Sequence, residues 1–448
     1  MRYLSLVPAL FLVACGVALS ERTQSNSLPA SSDAEDSTGA PGSAGSAAPV
    51  EGAPPVGLKD AATSADPAAP GEGPAPSTSA PQSGLLTAGT WDDNLNFMFF
   101  RDYLALRTTT GILPIDRNDA ILVEVKDAAG KALPGATVKL LAGQDLKLET
   151  QTGGEGRTLL FPTWDGATSN VSVEASFNGK TATKTIASID YLKADKKVTL
   201  TLQDTTAAAV TTLDLAFLID TTGSMGDELT YLKAEVDDIA ARVAAAYPNV
   251  SIRYALVLYK DTGDSYTKRV FDFSPSLDEL KSRIAAQSAG GGGDWPEAVD
   301  QGLDALTSLT WQSTARVAFW TADAPYHFGV QPQIVATLQK ARKQAVHIYP
   351  IAASGVDDLA EAMLRDAAQV TGGRYLFLTD DSGVGNAHQE PHIPCYYVTR
   401  LDQAMERMIR IELSGTYEEP AAAQILRTGG NMAAGQCTLQ SGTVVAAY

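Results

Sequence analysis

Three short stretches in the carboxyl half of the 448-residue chain carry side-chain oxygens at spacings that suit a metal ion. Asp220, Thr222 and Ser224 alternate along one stretch, with a glycine that permits a tight turn. Asp294 follows a run of glycines, and Asp323 follows an apolar run. Carboxylates and hydroxyls are hard ligands, which favour Mg²⁺, Mn²⁺ or Ca²⁺ over zinc. We therefore predict that these five residues form one divalent-cation site, with Mg²⁺ as the first choice.

The elements that must position these residues are indicated by a change of sequence period after about residue 211. Strand-like apolar runs lie at 213–219, 251–259, 315–320, 347–352 and 374–378. Helical patterns lie between most of them, at 226–246, 277–286, 296–309, 333–345 and 357–371. Strands that alternate with helices predict an α/β fold with a doubly wound, mostly parallel sheet. Ligands bind such sheets beyond the carboxyl ends of the strands, where the oxygen-bearing stretches fall.

These loops, in this order, resemble the von Willebrand factor A domain and its metal-ion-dependent adhesion site, whose first motif is Asp-x-Ser/Thr-x-Ser. The resemblance covers roughly residues 211–415. It implies a Rossmann-like domain in which Asp220, Thr222, Ser224 and Asp323 bind the metal. It also implies that the site binds a macromolecular ligand, here a protein.

Asp294 departs from the pattern of that family, because members usually carry a threonine at this position. Three carboxylates would over-neutralise a divalent ion and leave little positive charge to attract an acidic residue of a partner. We therefore expect tight metal retention and weak dependence on an acidic ligand. The alternative is that Asp294 accepts a hydrogen bond from metal-bound water.

The region before the α/β domain, residues 90–206, contains short and partly alternating apolar runs separated by glycine-containing turns. This pattern predicts an all-β, antiparallel sandwich. Residues 125–138 resemble the opening of carboxypeptidase-regulatory-like, transthyretin-type modules, and we interpret the region as a spacer. The aromatic-rich stretch 91–106 is predicted to be a packing element.

The amino terminus has the features of an export signal. Arg2, a short apolar stretch and Leu12-Val13-Ala14-Cys15 resemble a bacterial lipoprotein signal. We predict cleavage after residue 14, lipidation of Cys15 and a destination at the outer membrane of the cell envelope, facing the periplasm or the exterior. The alternative is a plain signal peptide with a chance cysteine. Residues 15–89, rich in Ala, Gly, Pro and Ser, are predicted to be a disordered tether.

Cys395 and Cys437 are the two cysteines that remain, and outside the cytoplasm we expect them to form a disulfide. They bracket the amphipathic stretch 401–413, which corresponds to the last helix of the A domain. One hypothesis is that the bond restricts movement of this helix, which equal ligand affinity before and after reduction would contradict. The alternative is a staple for the carboxyl-terminal tail at 416–448.

Other candidate sites compete with the metal site. His388, His392 and Cys395 lie in one Pro-containing loop and could bind zinc, although we favour a solvated loop. Tyr326 and His327 follow Asp323 and either touch a ligand or cap the site.

The net charge of −18 argues against nucleic-acid binding, which needs clustered Lys and Arg. We predict an envelope-anchored lipoprotein that binds a protein partner through the metal and is not an enzyme, since the sequence places no histidine or lysine base near the loops. One alternative is a structural or envelope-assembly component in which the metal only stabilises the fold. A metallohydrolase is the third reading.

Overall fold

A computed structural model of the protein describes residues 83–106, 111–187, 197–383 and 387–447. The predicted signal peptide, Cys15 and nearly all of the predicted tether lie outside the described residues. Within the described ranges, none of the helices has the length and apolar character needed to cross a membrane.

The described residues form nineteen strands and seven α-helices, and strands alternate with helices in the part of the chain after residue 211. The strands are β1 (Thr87–Trp91), β2 (Ile121–Asp127), β3 (Thr137–Ala142), β4 (Asp145–Gln151), β5 (Arg157–Leu160), β6 (Val171–Phe177), β7 (Lys180–Ile186), β8 (Lys197–Leu202), β9 (Thr212–Asp220), β10 (Ser251–Tyr259), β11 (Lys268–Ser274), β12 (Ala315–Ala322), β13 (His347–Ala352), β14 (Tyr375–Leu378), β15 (Tyr396–Arg400), β16 (Arg427–Gly429), β17 (Met432–Ala433), β18 (Gln436–Thr438) and β19 (Val444–Ala446). The helices are α1 (Phe97–Leu106), α2 (Gly226–Ala246), α3 (Leu277–Ala285), α4 (Val299–Thr307), α5 (Gln331–Lys343), α6 (Asp358–Thr371) and α7 (Leu401–Ser414).

The central sheet has the order β11-β10-β9-β12-β13-β14-β1-β15-β16. The pairs from β10 to β14 are parallel, and the edges of the sheet are antiparallel. Alternate residues of β9 enter two different cores: Leu218 faces α4, α5 and α6, whereas Phe217 faces α2, α3 and α7. A strand that is covered on both faces must be apolar throughout, which explains the continuous apolar run. The predicted α/β fold is therefore confirmed.

The boundaries of the α/β domain differ from the prediction. Residues 87–91, divided in the prediction between the tether and the sandwich, form β1, which lies antiparallel between β14 and β15. Gly89 fits there because a Cβ atom at this position would lie 2.2 Å from the Phe377 ring. The predicted tail also contributes β16 to the sheet, where it pairs with β15.

Two smaller sheets, β5-β2-β8 and β4-β3-β6-β7, are formed by the part of the chain between β1 and β9. Their inner faces share one core, to which Val123, Leu140, Val173 and Leu200 contribute. This region matches the predicted all-β architecture, with one difference. The β2–β8 pair is parallel, so the region is not wholly antiparallel.

These smaller sheets are joined to the α/β domain by buried polar contacts. Arg342 on α5 forms an ion pair with Asp165 at 2.6 Å, and both side chains are 3% exposed. Arg374 binds Glu155 at 3.0 Å. Phe161 belongs to the core of the α/β domain itself. The region predicted to be a spacer is therefore packed into the same compact unit as the α/β domain.

The predicted disulfide between Cys395 and Cys437 is confirmed, with a Cα–Cα distance of 5.6 Å. It connects the segment before β15 with β18, in the small sheet β17-β18-β19. The carboxyl-terminal segment is thus held both covalently and by strand pairing.

The carboxyl-terminal end of α7 is fixed by Glu412, a buried carboxylate with three donors. It accepts hydrogen bonds from His347 at 2.5 Å, from the Tyr349 hydroxyl at 2.6 Å and from the Gly154 amide at 2.8 Å. Burial alone would raise the pKa of Glu412, but His347 and these donors lower it to about 2. Glu412 likewise raises the pKa of His347, against the effect of its burial.

We expect Glu412→Gln to remove most of the acid sensitivity that this contact gives the fold. A carboxyl group whose pKa is lowered by folding stabilises the protein above its unfolded pKa, and that stability is lost as pH falls. For Glu412 the loss should run from about pH 5 to about pH 2 and amount to about 3 kcal/mol. His347 acts in the opposite direction, because its contribution is lost as pH rises above its raised pKa. Urea unfolding at a series of pH values measures both the loss of stability at low pH and the loss at high pH.

The matched control is Glu418→Gln, because Glu418 is 57% exposed in its pair with Arg410. This variant should lose as much stability at low pH as the wild type does, since exposed ion pairs contribute little to stability. An equal loss of stability at low pH in Glu412→Gln and in the wild type would contradict the assignment of this loss to Glu412.

Candidate metal centre

The first oxygen-bearing loop is formed where β9 ends at Asp220. The amide and hydroxyl of Thr222 both donate to Asp220 Oδ1, at 2.9 and 2.6 Å. The Thr222 and Ser224 hydroxyl oxygens lie 3.3 Å apart. Asp220 and Thr222 are buried, whereas Ser224 is exposed. Burial raises the pKa of Asp220 to about 6, although both hydrogen bonds from Thr222 oppose this rise.

Asp323 joins this group because β12, which precedes it, lies next to β9 in the sheet. Its side chain is 1% exposed. Burial and then the charge of Asp220 raise its pKa to about 7. The Ser224 hydroxyl is near enough to oppose that rise, although the two side chains do not reach full hydrogen-bond geometry. The structure thus brings Asp220, Thr222, Ser224 and Asp323 together.

Asp294 is not part of this cluster. It is exposed, and no hydrogen bond or ion pair joins its side chain to another described residue. Its place is taken by Glu297, which is 3% exposed. Burial, followed by the charges of Asp220, Asp261 and Asp323, raises the pKa of Glu297 to about 9. The structure therefore favours Glu297 over the predicted Asp294 as the third carboxylate of the cluster.

The backbone explains why Glu297 turns inwards. Its amide donates to Pro325 O at 2.9 Å, and the residue forms a bridge with Tyr326, so it is pinned to the loop that carries Asp323. The sequence pattern predicted a helix from residue 296, whereas α4 begins at Val299. Glu297 therefore falls in the first turn of that predicted helix. The only local signal was an acidic residue beside Pro296 in a glycine-rich loop.

The glycine run brings this third stretch close to the first loop. Gly290, Gly291 and Gly292 have φ values of 151°, 86° and 74°, which side chains rarely allow. A Cβ atom on Gly291 would lie 2.2 Å from Asp264, and one on Gly292 would lie 3.0 Å from Glu297 Oε1. The amide of Gly223 donates to Gly291 O at 3.0 Å. The glycines therefore permit a close approach of backbone to backbone.

Lys260 is a second functional residue that sequence reasoning missed, since no lysine was predicted near these loops. Its ammonium group donates to Thr221 O and Gly290 O, and so joins the first loop to the glycine run. Burial lowers its pKa, whereas Asp264 and Asp220 oppose that effect. Lys260 follows Tyr259, the last residue of β10, and nothing in the neighbouring sequence distinguished it from an ordinary lysine at the end of a strand.

The residues of the cluster fit a divalent cation. Several buried carboxylate oxygens have no hydrogen-bond partner within the described part of the chain: Asp220 Oδ2, Glu228 Oε2, Glu297 Oε2 and both oxygens of Asp323. A buried carboxylate oxygen without a donor is costly, and a cation removes that cost. All of these atoms are hard ligands suited to Mg²⁺, Mn²⁺ or Ca²⁺.

The predicted alternatives do not assemble into one site. His388 Nε2 contacts Glu228 at 2.9 Å, whereas Cys395 is in the disulfide. His392 Nδ1 contacts Glu361 at 2.8 Å, and these two groups with Asp358 place ligand atoms within 4.8 Å of one another. Glu361 also pairs at 3.0 Å with the buried Arg365, an arginine that it shares with Asp93.

Tyr326 and His327 differ in their exposure. The Tyr326 hydroxyl donates to Gly111 O, and the side chain is buried, which favours a capping role. His327 is 32% exposed and contacts Asp261 Oδ1 at 2.5 Å, at the rim of the cluster.

Comparison with known proteins gives partial matches. Residues 214–380 match a family described as von Willebrand factor A domain. The alpha-protein kinase vwkA of Dictyostelium discoideum is 29% identical over 137 residues, which are 30% of this chain and 22% of that protein. A putative ariadne-like RING finger protein of Acanthamoeba polyphaga mimivirus is 32% identical over 115 residues, which are 26% of this chain and 11% of that protein. The chain thus spans about a fifth and a tenth of the length of these relatives.

Partial matches among solved structures include proximal thread matrix protein 1 from the mussel byssus, with 19% identity, a TM-score of 0.29 and coverage of 36% of this chain and 40% of that chain. The conserved hypothetical protein BatB from Bacteroides thetaiotaomicron has 13% identity and a TM-score of 0.30, and the match covers 45% of this chain and 97% of that chain. The family match coincides with the parallel part of the central sheet and with the loops that carry Asp220 and Asp323. Residues 214–380 of this chain are a von Willebrand factor A domain.

Proposed function

We propose that the chain binds a protein partner through a divalent cation held by Asp220, Thr222, Ser224, Asp323 and Glu297. The observation that carries this proposal is the convergence of buried carboxylates whose oxygens lack donors among the described residues. Domains of this family commonly mediate interactions between proteins, which supports binding as the outcome.

The residues of the site have different tasks in this proposal. When bound, the cation supplies a Lewis-acidic centre for an oxygen atom of the partner. Thr222 orients Asp220 through two hydrogen bonds, whereas Asp323 and Glu297 provide charge at a depth from which water is excluded. Ser224 is exposed and therefore lies at the entrance.

Binding rather than catalysis is supported by the state of the nearest cation. Lys260 donates to two backbone carbonyls, so its ammonium group is committed to holding loops together. A general base must reach a proton of the substrate, and Lys260 is not free to do so, which leaves His327, paired with Asp261 at the rim, as the side chain whose substitution would test for turnover. Mg²⁺ is our first choice of ion, with Mn²⁺ and Ca²⁺ as alternatives.

Three carboxylates at the site carry more negative charge than a divalent ion neutralises. This count is the same as with Asp294, because Glu297 replaces one carboxylate by another. The proposal therefore retains tight metal binding and weak dependence on an acidic residue of the partner.

The proposal includes an anchor at the amino terminus. The apolar stretch that ends in Leu12-Val13-Ala14-Cys15 supports lipidation of Cys15 and placement of the protein in the bacterial cell envelope, at the outer membrane. The Ala-, Gly-, Pro- and Ser-rich residues that follow would hold the folded part away from the lipid surface.

We expect Asp323→Asn and Glu297→Gln each to weaken Mn²⁺ and Mg²⁺ binding by roughly tenfold or more, since each removes a charged ligand. In chelator, Asp323→Asn should instead raise the free energy of unfolding by about 1 kcal/mol, because a buried and unpaired carboxylate is removed. Calorimetric titration with each metal and urea unfolding in chelator measure the two effects.

Asp294→Asn is the matched control and should change metal affinity by less than about twofold, since this side chain is exposed. A loss for Asp294→Asn that equals the loss for Glu297→Gln would restore the original ligand set. Unchanged affinity in both Asp323→Asn and Glu297→Gln would overturn the site.

A pull-down from envelope extract tests the partner. We expect the full chain to retain a protein partner in Mg²⁺ and to lose it in chelator, while circular dichroism shows that the fold persists. Loss of the fold in chelator would favour the structural role, and metal-dependent turnover would favour a metallohydrolase.

Cys15→Ser tests the anchor. A lipid chain contributes about 0.8 kcal/mol of membrane binding per buried CH₂ group, so its removal should move the protein from the membrane fraction to the soluble fraction. Fractionation of cells that express each form gives the answer. An unchanged distribution would support a plain signal peptide or no anchor at this residue.

A further inference from the structure

Two large aromatic side chains are exposed on opposite sides of the candidate metal centre. Phe328 is 83% exposed and Trp295 is 42% exposed. Phe328 follows His327, which contacts Asp261 just beyond β10. The indole N–H of Trp295 donates to Asp357 at 3.1 Å, in the loop after β13.

The strand order places these two loops on either side of the cluster. β10 and β13 flank the central pair β9 and β12, whose carboxyl ends carry Asp220 and Asp323. A Cβ atom on Gly355 would lie 3.5 Å from the Trp295 ring, so the ring lies over the loop after β13. The metal centre therefore has an aromatic side chain at each flank. Exposed aromatic residues of this kind are typical anchors of protein interfaces.

The charge of this surface is negative even with a divalent ion present. Asp220, Asp323 and Glu297 already exceed the charge of the ion, and Asp261 and Asp264 add to the excess. Asp294 is exposed on the glycine-rich loop. The cations beside the cluster include Lys260, which is buried, and Arg269, which lies over the Tyr266 ring next to Thr221, and the acidic groups still outnumber them.

We propose that this surface binds a partner segment in which a bulky apolar side chain is flanked by lysine or arginine. The inference rests on the proposed metal-dependent function and specifies its ligand. The apolar side chain contacts Phe328 at one flank, and the cationic groups are attracted to the acidic surround and to the Trp295 ring face at the other flank. An acidic side chain is repelled, so the oxygen that reaches the metal is a neutral one, such as a backbone carbonyl or a hydroxyl.

Three fluorophore-labelled peptides test this inference by anisotropy titration against the full chain in Mg²⁺ and in chelator. The first has the sequence Ser-Lys-Phe-Lys-Ser, the second has glutamate in place of both lysines, and the third has serine in place of phenylalanine. In Mg²⁺ we expect the first to bind about tenfold more tightly than either of the others, which is about 1.4 kcal/mol. Phe328→Ser should weaken its binding by about fivefold.

The control variant is Leu106→Ser, which removes a side chain that is 82% exposed at the end of α1 and should have no effect. Preference for the glutamate peptide, no binding of any peptide in Mg²⁺, or no effect of Phe328→Ser would each overturn the inference. Equal binding of the lysine peptide in Mg²⁺ and in chelator would support the surface and overturn the metal dependence, so the two proposals fail separately.

Discussion

The structure around the candidate metal centre depends on the electrostatic cost of burying several carboxylates at one edge of a sheet. Asp220 and Asp323 follow adjacent parallel strands, so their side chains must converge. Glu297 is added by the loop between them, and the charge of Asp220 raises the pKa values of both Asp323 and Glu297. Without a compensating cation this arrangement opposes folding, and this cost supports the proposal that the site holds a divalent ion.

The remaining features of the site follow from the close approach of a third acidic residue, Glu297, to Asp220 and Asp323. The glycine run adopts backbone angles that bring it against the first loop, and Lys260 joins both through two carbonyl oxygens. Because Lys260 holds carbonyl groups, and no carboxylate of the described residues forms an ion pair with it, Lys260 supports the geometry while it leaves ligand oxygens available. A loop without these glycines would have no room beside Thr222 and Asp264.

The sequence was sufficient to predict the α/β class and the convergence of Asp220, Thr222, Ser224 and Asp323, because both depend on local patterns. Strands covered on both faces are continuous apolar runs, and the loops that follow them meet at one edge of the sheet. Glu297 could not be predicted, since its inward turn depends on pairing with Tyr326 in a different loop. The strand β1 was missed for a similar reason: Thr87 pairs with Thr379, 292 residues away, and five small or aromatic residues carry no strand-like alternation.

The position of β1 has a mechanical consequence. The described chain enters the interior of the central sheet almost at once, because β1, which begins at Thr87, lies between β14 and β15. The amide of Gly84 also donates to the buried Glu235 on α2 at 2.8 Å. A force applied to the amino-terminal end of β1 is therefore resisted by backbone hydrogen bonds to β14 and β15. It is also resisted by α2, which starts beside the loop that carries Thr222. The all-β sheets pack against the opposite end of the central sheet, through Arg342 and Glu412, and not against the carboxyl edge at which Asp220 and Asp323 lie.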